Sequence, residues 1–228
     1  MTDSLIVGAS RGIGLGLARE LLRRGHAVCA TERSPSAGLD ALAAESGGRL
    51  TRETVDIADG ASSEALRDRL AGRRFDVVLI NAGVGGPRER NPRNVAGDEF
   101  AKLMVTNALG PARLAELLAK SVKPDVGVVA FMTSQLGSVE QNTSGGFELY
   151  RASKAALNSL IRSFAARHAD KKLAVLALHP GWVKTDMGGP QAPLGVDDSV
   201  RGLADILERA AADRKSGYLD YQGQTLPW

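Results

Sequence analysis

Leu5-Ile6-Val7-Gly8-Ala9-Ser10-Arg11-Gly12-Ile13-Gly14 is the stretch on which the fold turns. Three β-forming residues run into a turn spaced Gly-x-x-x-Gly-x-Gly, and a helical pattern follows over residues 13–24 until Gly25 stops it. Glycines in such a turn let the backbone bend sharply and approach an anionic group closely. The helix behind the turn offers its unpaired N–H groups to the same anion, so strand, turn and helix together predict a seat for a pyrophosphate. Gly8, Ser10, Arg11, Gly12, Ile13 and Gly14 are the candidate contacts.

The alternation continues outward from this unit. Strands are expected over residues 27–31, 51–57, 75–80, 126–132 and 173–178. Helices are expected over 39–45, 62–70, 98–120, 149–168 and 198–211. The strands are near-continuously apolar, which implies a parallel sheet buried on both faces. Right-handed crossovers then give a doubly wound α/β fold: three layers, α/β/α, around a parallel sheet of about seven strands. No linker or repeat interrupts the chain, so residues 1–228 are expected to form one domain. Two Gly/Pro-rich stretches, 84–96 and 187–196, follow strand ends, where ligands bind in open α/β sheets. Each reads equally as a solvated loop or as a lid over a substrate.

Composition sets bounds on this picture. A chain of 228 residues can bury a large core, and 4% aromatic content leaves Ala, Leu, Val and Ile to build it. The net charge is +3 and the arginines are spread over many helices, which argues against a nucleic-acid surface. Cys29 is the only cysteine and lies in an apolar run, so no intrachain disulfide forms and a buried thiol in a reducing cytoplasm is expected. The N-terminus lacks the basic and apolar regions of a secretory signal, and no apolar run reaches the length of a membrane span. No metal site is expected.

Polar candidates gather at the C-terminal ends of the strands. Glu32 closes the second strand, 18 residues beyond Gly14, where a carboxylate accepts hydrogen bonds from adenosine ribose hydroxyls and repels a 2′-phosphate. Arg33 follows it and Arg11 lies in the glycine turn, and either neutralises such a phosphate. The balance favours NAD(H), with NADP(H) as the alternative. Asp56 and Ile57 end the third strand; Asp56 reads either as a contact to the adenine amine or as a strand-end cap. Asn81-Ala82-Gly83 closes the fourth strand with small residues that admit a flat cofactor. Ser134 follows the fifth strand, and Pro180-Gly181-Trp182-Val183-Lys184-Thr185 the sixth. Tyr150 and Lys154 stand four residues apart on a helix beside them, so a phenol and a cation share one face. A nearby cation favours phenolate, which makes the pair a candidate proton donor or acceptor for an alcohol or carbonyl oxygen.

With these residues in order, the chain resembles the short-chain dehydrogenase/reductase family over essentially its full length. The motifs are Gly8-x-x-x-Gly12-x-Gly14, Asn81-Ala82-Gly83, Asn107, Ser134, Tyr150-x-x-x-Lys154 and Pro180-Gly181. Residues 181–189 and the terminal Tyr218-Leu219-Asp220-Tyr221 and Leu226-Pro227-Trp228 are similar to its C-factor and carbonyl-reductase-like branch. The resemblance implies a Rossmann-type domain and hydride transfer between nicotinamide and a small carbonyl or alcohol substrate. It implies that Tyr150 is the general acid or base and that Ser134 binds the substrate oxygen. Lys154 would hold the nicotinamide ribose and lower the Tyr150 pKa. Asn107 would anchor a water leading from Lys154 to solvent, or serve only as a helix-kink asparagine. Val183 and Thr185 would meet the carboxamide. A homodimer or homotetramer pairing through the helices at 98–120 and 149–168 is expected by the same resemblance.

The chain departs from the family at Val7, where threonine is common, and at Ile80, where a second asparagine is common; both substitutions remove turn-stabilising hydrogen bonds. The interval from Ser134 to Tyr150 is long, which makes Ser138 a rival for the substrate serine. The short segment after Thr185 implies an open pocket. A dinucleotide-binding signalling protein with little turnover is the competing reading, and the joint presence of Asn107, Ser134, Tyr150 and Lys154 favours the enzyme.

Overall fold

The computed structural model describes residues 2–86 and 91–228. Residues 87–90 of the Gly/Pro-rich stretch and Met1 lie outside them. The sheet is built from β1 (Asp3–Val7), β2 (Ala27–Glu32), β3 (Leu50–Thr54), β4 (Val77–Ile80), β5 (Val128–Met132), β6 (Ala174–His179) and β7 (Gly217–Asp220). Their order is β3-β2-β1-β4-β5-β6-β7, and every pairing is parallel. This is the doubly wound arrangement that the apolar strands imply. The sequence pattern does not locate β7, because it is four residues long and only its Tyr218 is buried.

Helices cover both faces. On one side α1 (Gly12–Arg23), α2 (Ala37–Glu45) and α7 (Val196–Asp213) pack on Ile6, Ala30, Leu79, Ala130 and Leu178. On the other, α3 (Gly60–Arg69), α5 (Gly110–Leu118) and α6 (Glu148–Arg167) pack on Leu5, Val78, Ile80, Phe131 and Ala177. Alternate residues of each strand thus feed opposite cores, and each fully buried Leu or Ile contributes about 2 kcal/mol. Cys29 lies in the second of these cores as a buried thiol.

At the N-terminal edge of the sheet, Glu20 takes hydrogen bonds from Arg23 and Arg24 at 2.7 to 2.8 Å. Arg24 and His26 reach Glu208 on α7, and Ser4 Oγ meets His26 Nδ1 at 2.9 Å. This network locks α1 to α7 away from the ligand edge. The Arg23 and Arg24 guanidinium groups hold the Glu20 carboxyl down at about 2.

The long helix expected over residues 98–120 is interrupted. It comprises α4 (Gly97–Met104), a π-helical turn (Val105–Leu109) and α5. Pro111 has no N–H to give the Asn107 carbonyl, so the regular α-helical ladder cannot run through this point. The third strand stops at Thr54 rather than Ile57 because the Asp56 N–H leaves the ladder for Ser62 Oγ, at 3.0 Å. Among the described residues, no helix is long and apolar enough to cross a membrane.

Candidate active site

A cavity of about 520 Å³ opens at the C-terminal ends of the strands. It includes the point between β1 and β4 where the strand order reverses, the natural crevice of such a sheet. Gly8, Ser10, Arg11, Gly12 and Ile13 line it from the turn, and Glu32, Arg33, Asp56 and Ile57 from the β2 and β3 ends. Asn81, Ala82, Gly83, Tyr150, Lys154, Pro180 and Thr185 complete the expected set. Gly14, Asn107, Ser134, Gly181 and Val183 do not line it. Thr31, Val84, Thr106, Thr133, Lys184 and Met187 do, although none is among the candidate contacts read from the sequence.

The glycine turn shows why its glycines are needed. Gly8 has φ +86°, and a Cβ there would lie 2.8 Å from Ala82 Cα. A Cβ on Gly14 would lie 2.1 Å from the Gly8 carbonyl oxygen. Val7 and Ile80 give the turn no side-chain hydrogen bonds, and two other residues do so. The Gly8 N–H donates to Thr31 Oγ1 at 3.1 Å, and Asn81 Nδ2 donates to the Gly8 carbonyl at 2.7 Å. Arg11 caps α1 in an extended conformation with no side-chain cap. The first N–H groups of α1 therefore have no intrahelical partner at the cavity wall. Those donors, with the positive end of the helix dipole, fit a pyrophosphate.

Helix α6 places Tyr150, Lys154 and Asn158 one turn apart. Lys154 Nζ donates to the Met132 carbonyl at 2.9 Å and stands 5.8 Å from the centre of the Tyr150 ring. The expectation that Lys154 depresses the Tyr150 pKa is corrected here. Burial pushes Tyr150 up to about 12, and the neighbouring Ser134 offsets only part of this. Burial likewise pushes Lys154 down to about 8. Desolvation is thus the largest influence on both groups.

Ser134 and Ser138 are told apart by their surroundings. Ser134 lies beside Tyr150 and lowers its pKa, and its Oγ accepts from the Leu136 N–H at 3.2 Å. Ser138 accepts from the Gln141 N–H at 3.2 Å and donates to the Trp228 carbonyl at 3.4 Å. The turn that carries Ser134 is pinned from behind by residues to which the sequence reading gave no role in the site. The Tyr218 hydroxyl donates to the Ser134 carbonyl. Asn158 accepts from Thr133 Oγ1 at 2.7 Å and donates to the Gly137 carbonyl at 3.2 Å. A buried tyrosine in a short C-terminal strand was the available signal, since its hydroxyl needs a partner.

Asn107 is fully buried in the π-helical turn. Its Oδ1 accepts from the Val84 N–H and its Nδ2 donates to the Val84 carbonyl, both at 2.8 Å. Nδ2 also donates to Ser153 Oγ at 3.1 Å. The side chain thus satisfies backbone groups, as the kink reading has it, and clamps the segment after β4 against α6. Gly83 is needed beside it, because a Cβ there would lie 3.3 Å from Asn107 Oδ1 and 3.5 Å from Lys154 Nζ.

At the adenosine end, Glu32 is 4% exposed, and its Oε1 takes two hydrogen bonds from Arg52, one of them at 3.0 Å. The carboxylate read from the sequence as a ribose acceptor is therefore already engaged with the neighbouring strand. Asp56 accepts from the Ala58 N–H through Oδ1 at 2.9 Å, so it caps the strand end, and it also lines the cavity. Thr185 accepts from the Gly188 N–H at 3.0 Å and shapes the turn after β6, while Val183 is buried.

Residues 4–193 match the model of the short chain dehydrogenase family. The chain belongs to that family. This short-chain dehydrogenase/reductase is 39% identical to the C-signal protein of Myxococcus xanthus over 158 residues, which cover 67% of this chain and 92% of that protein. A short-chain dehydrogenase/reductase from Burkholderia multivorans with bound NADP shares 46% identity at a TM-score of 0.94, covering 100% of this chain and 99% of the other. A carbonyl reductase from Pseudomonas aeruginosa PAO1 in complex with NADP shares 45% identity at a TM-score of 0.92, with both chains covered fully. The short-chain dehydrogenase/reductase described here is an NAD(P)-dependent oxidoreductase, in the C-factor-like branch to which the terminal motifs pointed.

Proposed function

We propose that the protein reduces a small carbonyl compound, or oxidises the corresponding alcohol, with Tyr150 moving the proton. The observation that carries this reading is the meeting of Tyr150 and Lys154 with the glycine turn around one cavity, with Ser134 beside Tyr150 behind it. A bound nicotinamide dinucleotide would supply or accept the hydride. Gly8, Ser10, Gly12 and Ile13 would hold its pyrophosphate, Asp56 and Ile57 its adenine, and Pro180 and Thr185 its nicotinamide end. The Tyr150 O–H gives its proton to the carbonyl oxygen, and Ser134 Oγ donates a hydrogen bond to the same oxygen as charge develops there. Burial that raises Tyr150 to about 12 keeps the proton on the phenol at neutral pH, which suits reduction. Lys154 holds positive charge beneath the phenol, and the Asn107 carbonyl, denied an α-helical donor by Pro111, is the acceptor suited to a water leading to Lys154.

The preference for NAD(H) that Glu32 suggests is not retained, because Glu32 is engaged by Arg52. Relatives that carry NADP support NADP(H) as a dinucleotide this protein takes. Residues 1–228 would act as one dinucleotide-binding domain in the cytoplasm, as a homodimer or homotetramer paired through α4, α5 and α6.

The test is cofactor depletion over a panel of ketones, aldehydes and alcohols. Tyr150→Phe should lower kcat about 10²–10⁴-fold with dinucleotide affinity retained. Turnover unchanged in that variant sinks the assignment. Dinucleotide binding with no turnover of any substrate would favour a signalling role instead.

A further inference from the structure

Glu32 ends β2 at the cavity wall, but its charge does not stand alone there. In the β2–β3 ladder Arg52 lies opposite Ala30, two residues below Glu32. Side chains two apart in a strand point to one face, so the guanidinium reaches diagonally across to the carboxylate. Arg52 Nε donates to Glu32 Oε1 at 3.0 Å, and its Nη2 donates to the same oxygen. From α2, Asp40 takes the remaining arm of the guanidinium and fixes its orientation. Glu32 Oε2 is buried with no hydrogen-bond partner among the described residues. The carboxylate is therefore paired on one oxygen and withdrawn from water on the other.

The cations around it are disposed differently. Arg33 lines the same cavity, is exposed, and makes no ion pair among the described residues. Arg11 also lines it, but its Nη1 is 2.7 Å from Asp186 Oδ2. An isolated carboxylate at the Glu32 position would repel a phosphate on the ribose. A carboxylate whose Oε1 is held by Arg52 repels it less, and Arg33 is left to meet it.

We propose that Arg52 sets the dinucleotide preference of this protein, by drawing the Glu32 carboxylate into an ion pair and away from the adenosine ribose so that this end accepts a 2′-phosphate, with Arg33 as its partner. This rests on the dinucleotide-binding reading and adds to it a specificity residue from a strand that carries none of the binding motifs.

Direct binding of NADPH and NADH to the purified full-length protein, by titration calorimetry without substrate, tests it. Wild type should bind NADPH about tenfold or more tighter than NADH. Arg52→Met should lower NADPH affinity about tenfold or more while NADH changes less than about threefold, because the freed carboxylate repels the phosphate but still accepts ribose hydroxyls. The double variant Arg52→Met/Glu32→Gln should recover most of the NADPH affinity. A merely structural role for Arg52 would weaken both dinucleotides alike. Should Arg52→Met fail to fold, Glu32→Gln and Arg33→Met serve: the first should keep the NADPH preference and the second should lose it. An NADPH-to-NADH ratio unchanged in Arg52→Met, or a wild type that prefers NADH, overturns the proposal while leaving the dinucleotide reading intact. A wild type that binds neither dinucleotide overturns both.

Discussion

Lys154 and Tyr150 are moved by desolvation in opposite chemical senses. The lysine is buried and pushed down to about 8, so it loses its charge within the range of an ordinary assay. If that charge supports proton donation by Tyr150, reductive kcat should be level below about pH 8 and fall as pH rises through Lys154's pKa. A profile that stays flat to well above that point would contradict the role given to Lys154. Behind Ser134, the Tyr218 hydroxyl holds the backbone carbonyl of the serine. Tyr218→Phe leaves that buried carbonyl without its donor, so kcat should drop about tenfold while dinucleotide affinity stays within about twofold. A parallel loss of both, measured by steady-state kinetics and calorimetry, would mark Tyr218 as structural only. Tyr150, Lys154 and Ser134 were legible as candidates in the sequence because the chemistry proposed for them depends on residue type and spacing. Tyr218 and Asn158 were not, because their role depends on which backbone carbonyl lies within reach.

The element that separates pattern from structure most clearly is the segment from Gly97 to Leu118. Its periodicity reads as one helix, yet it turns through a π segment at Val105–Leu109. Gly110 shows what the interruption serves: a Cβ there would lie 2.4 Å from the Ile57 carbonyl oxygen and 3.0 Å from that of Val105. Both obstacles are backbone, so relief by side-chain rotation is closed. Gly110→Ala should cost about 2 kcal/mol and lower Tm by about 4–8 °C, read by thermal unfolding. It should also weaken dinucleotide binding, since Ile57 lines the cavity. The glycine turn behaves oppositely: there a local rule, strand then Gly-x-x-x-Gly-x-Gly then helix, was sufficient to place the element and its purpose. The adjacent Thr31 and Asn81 hydrogen bonds, which stand in for those Val7 and Ile80 lack, follow only from strand register.

Across the molecule, acid stability should be set by two groups at opposite ends of the sheet. His179, half-buried, ends β6; its Nδ1 is buried without a partner among the described residues, and desolvation pushes it down from 6.5 to about 4. The unfolded chain takes up that proton first, so stability is lost as pH falls from 6.5 through about 4, by up to roughly 3 kcal/mol. Glu20, held at about 2 by Arg23 and Arg24, adds a second loss between 4.5 and that value. Denaturation midpoints for wild type and His179→Gln from pH 7 to pH 4 check this, and the variant should show the shallower decline. The sequence alone determined the parallel, doubly wound layering, the strand edge at which the candidate residues gather and the Tyr150–Lys154 spacing. Those features depend on hydrophobic period and on residue types at fixed spacing, which are local properties of the chain. Only the tertiary structure decided that Arg52 occupies Glu32, that Tyr218 supports Ser134, and that burial rather than pairing governs Tyr150 and Lys154. Charge pairing across strands and desolvation are properties of the packed molecule, and no spacing along the chain encodes them.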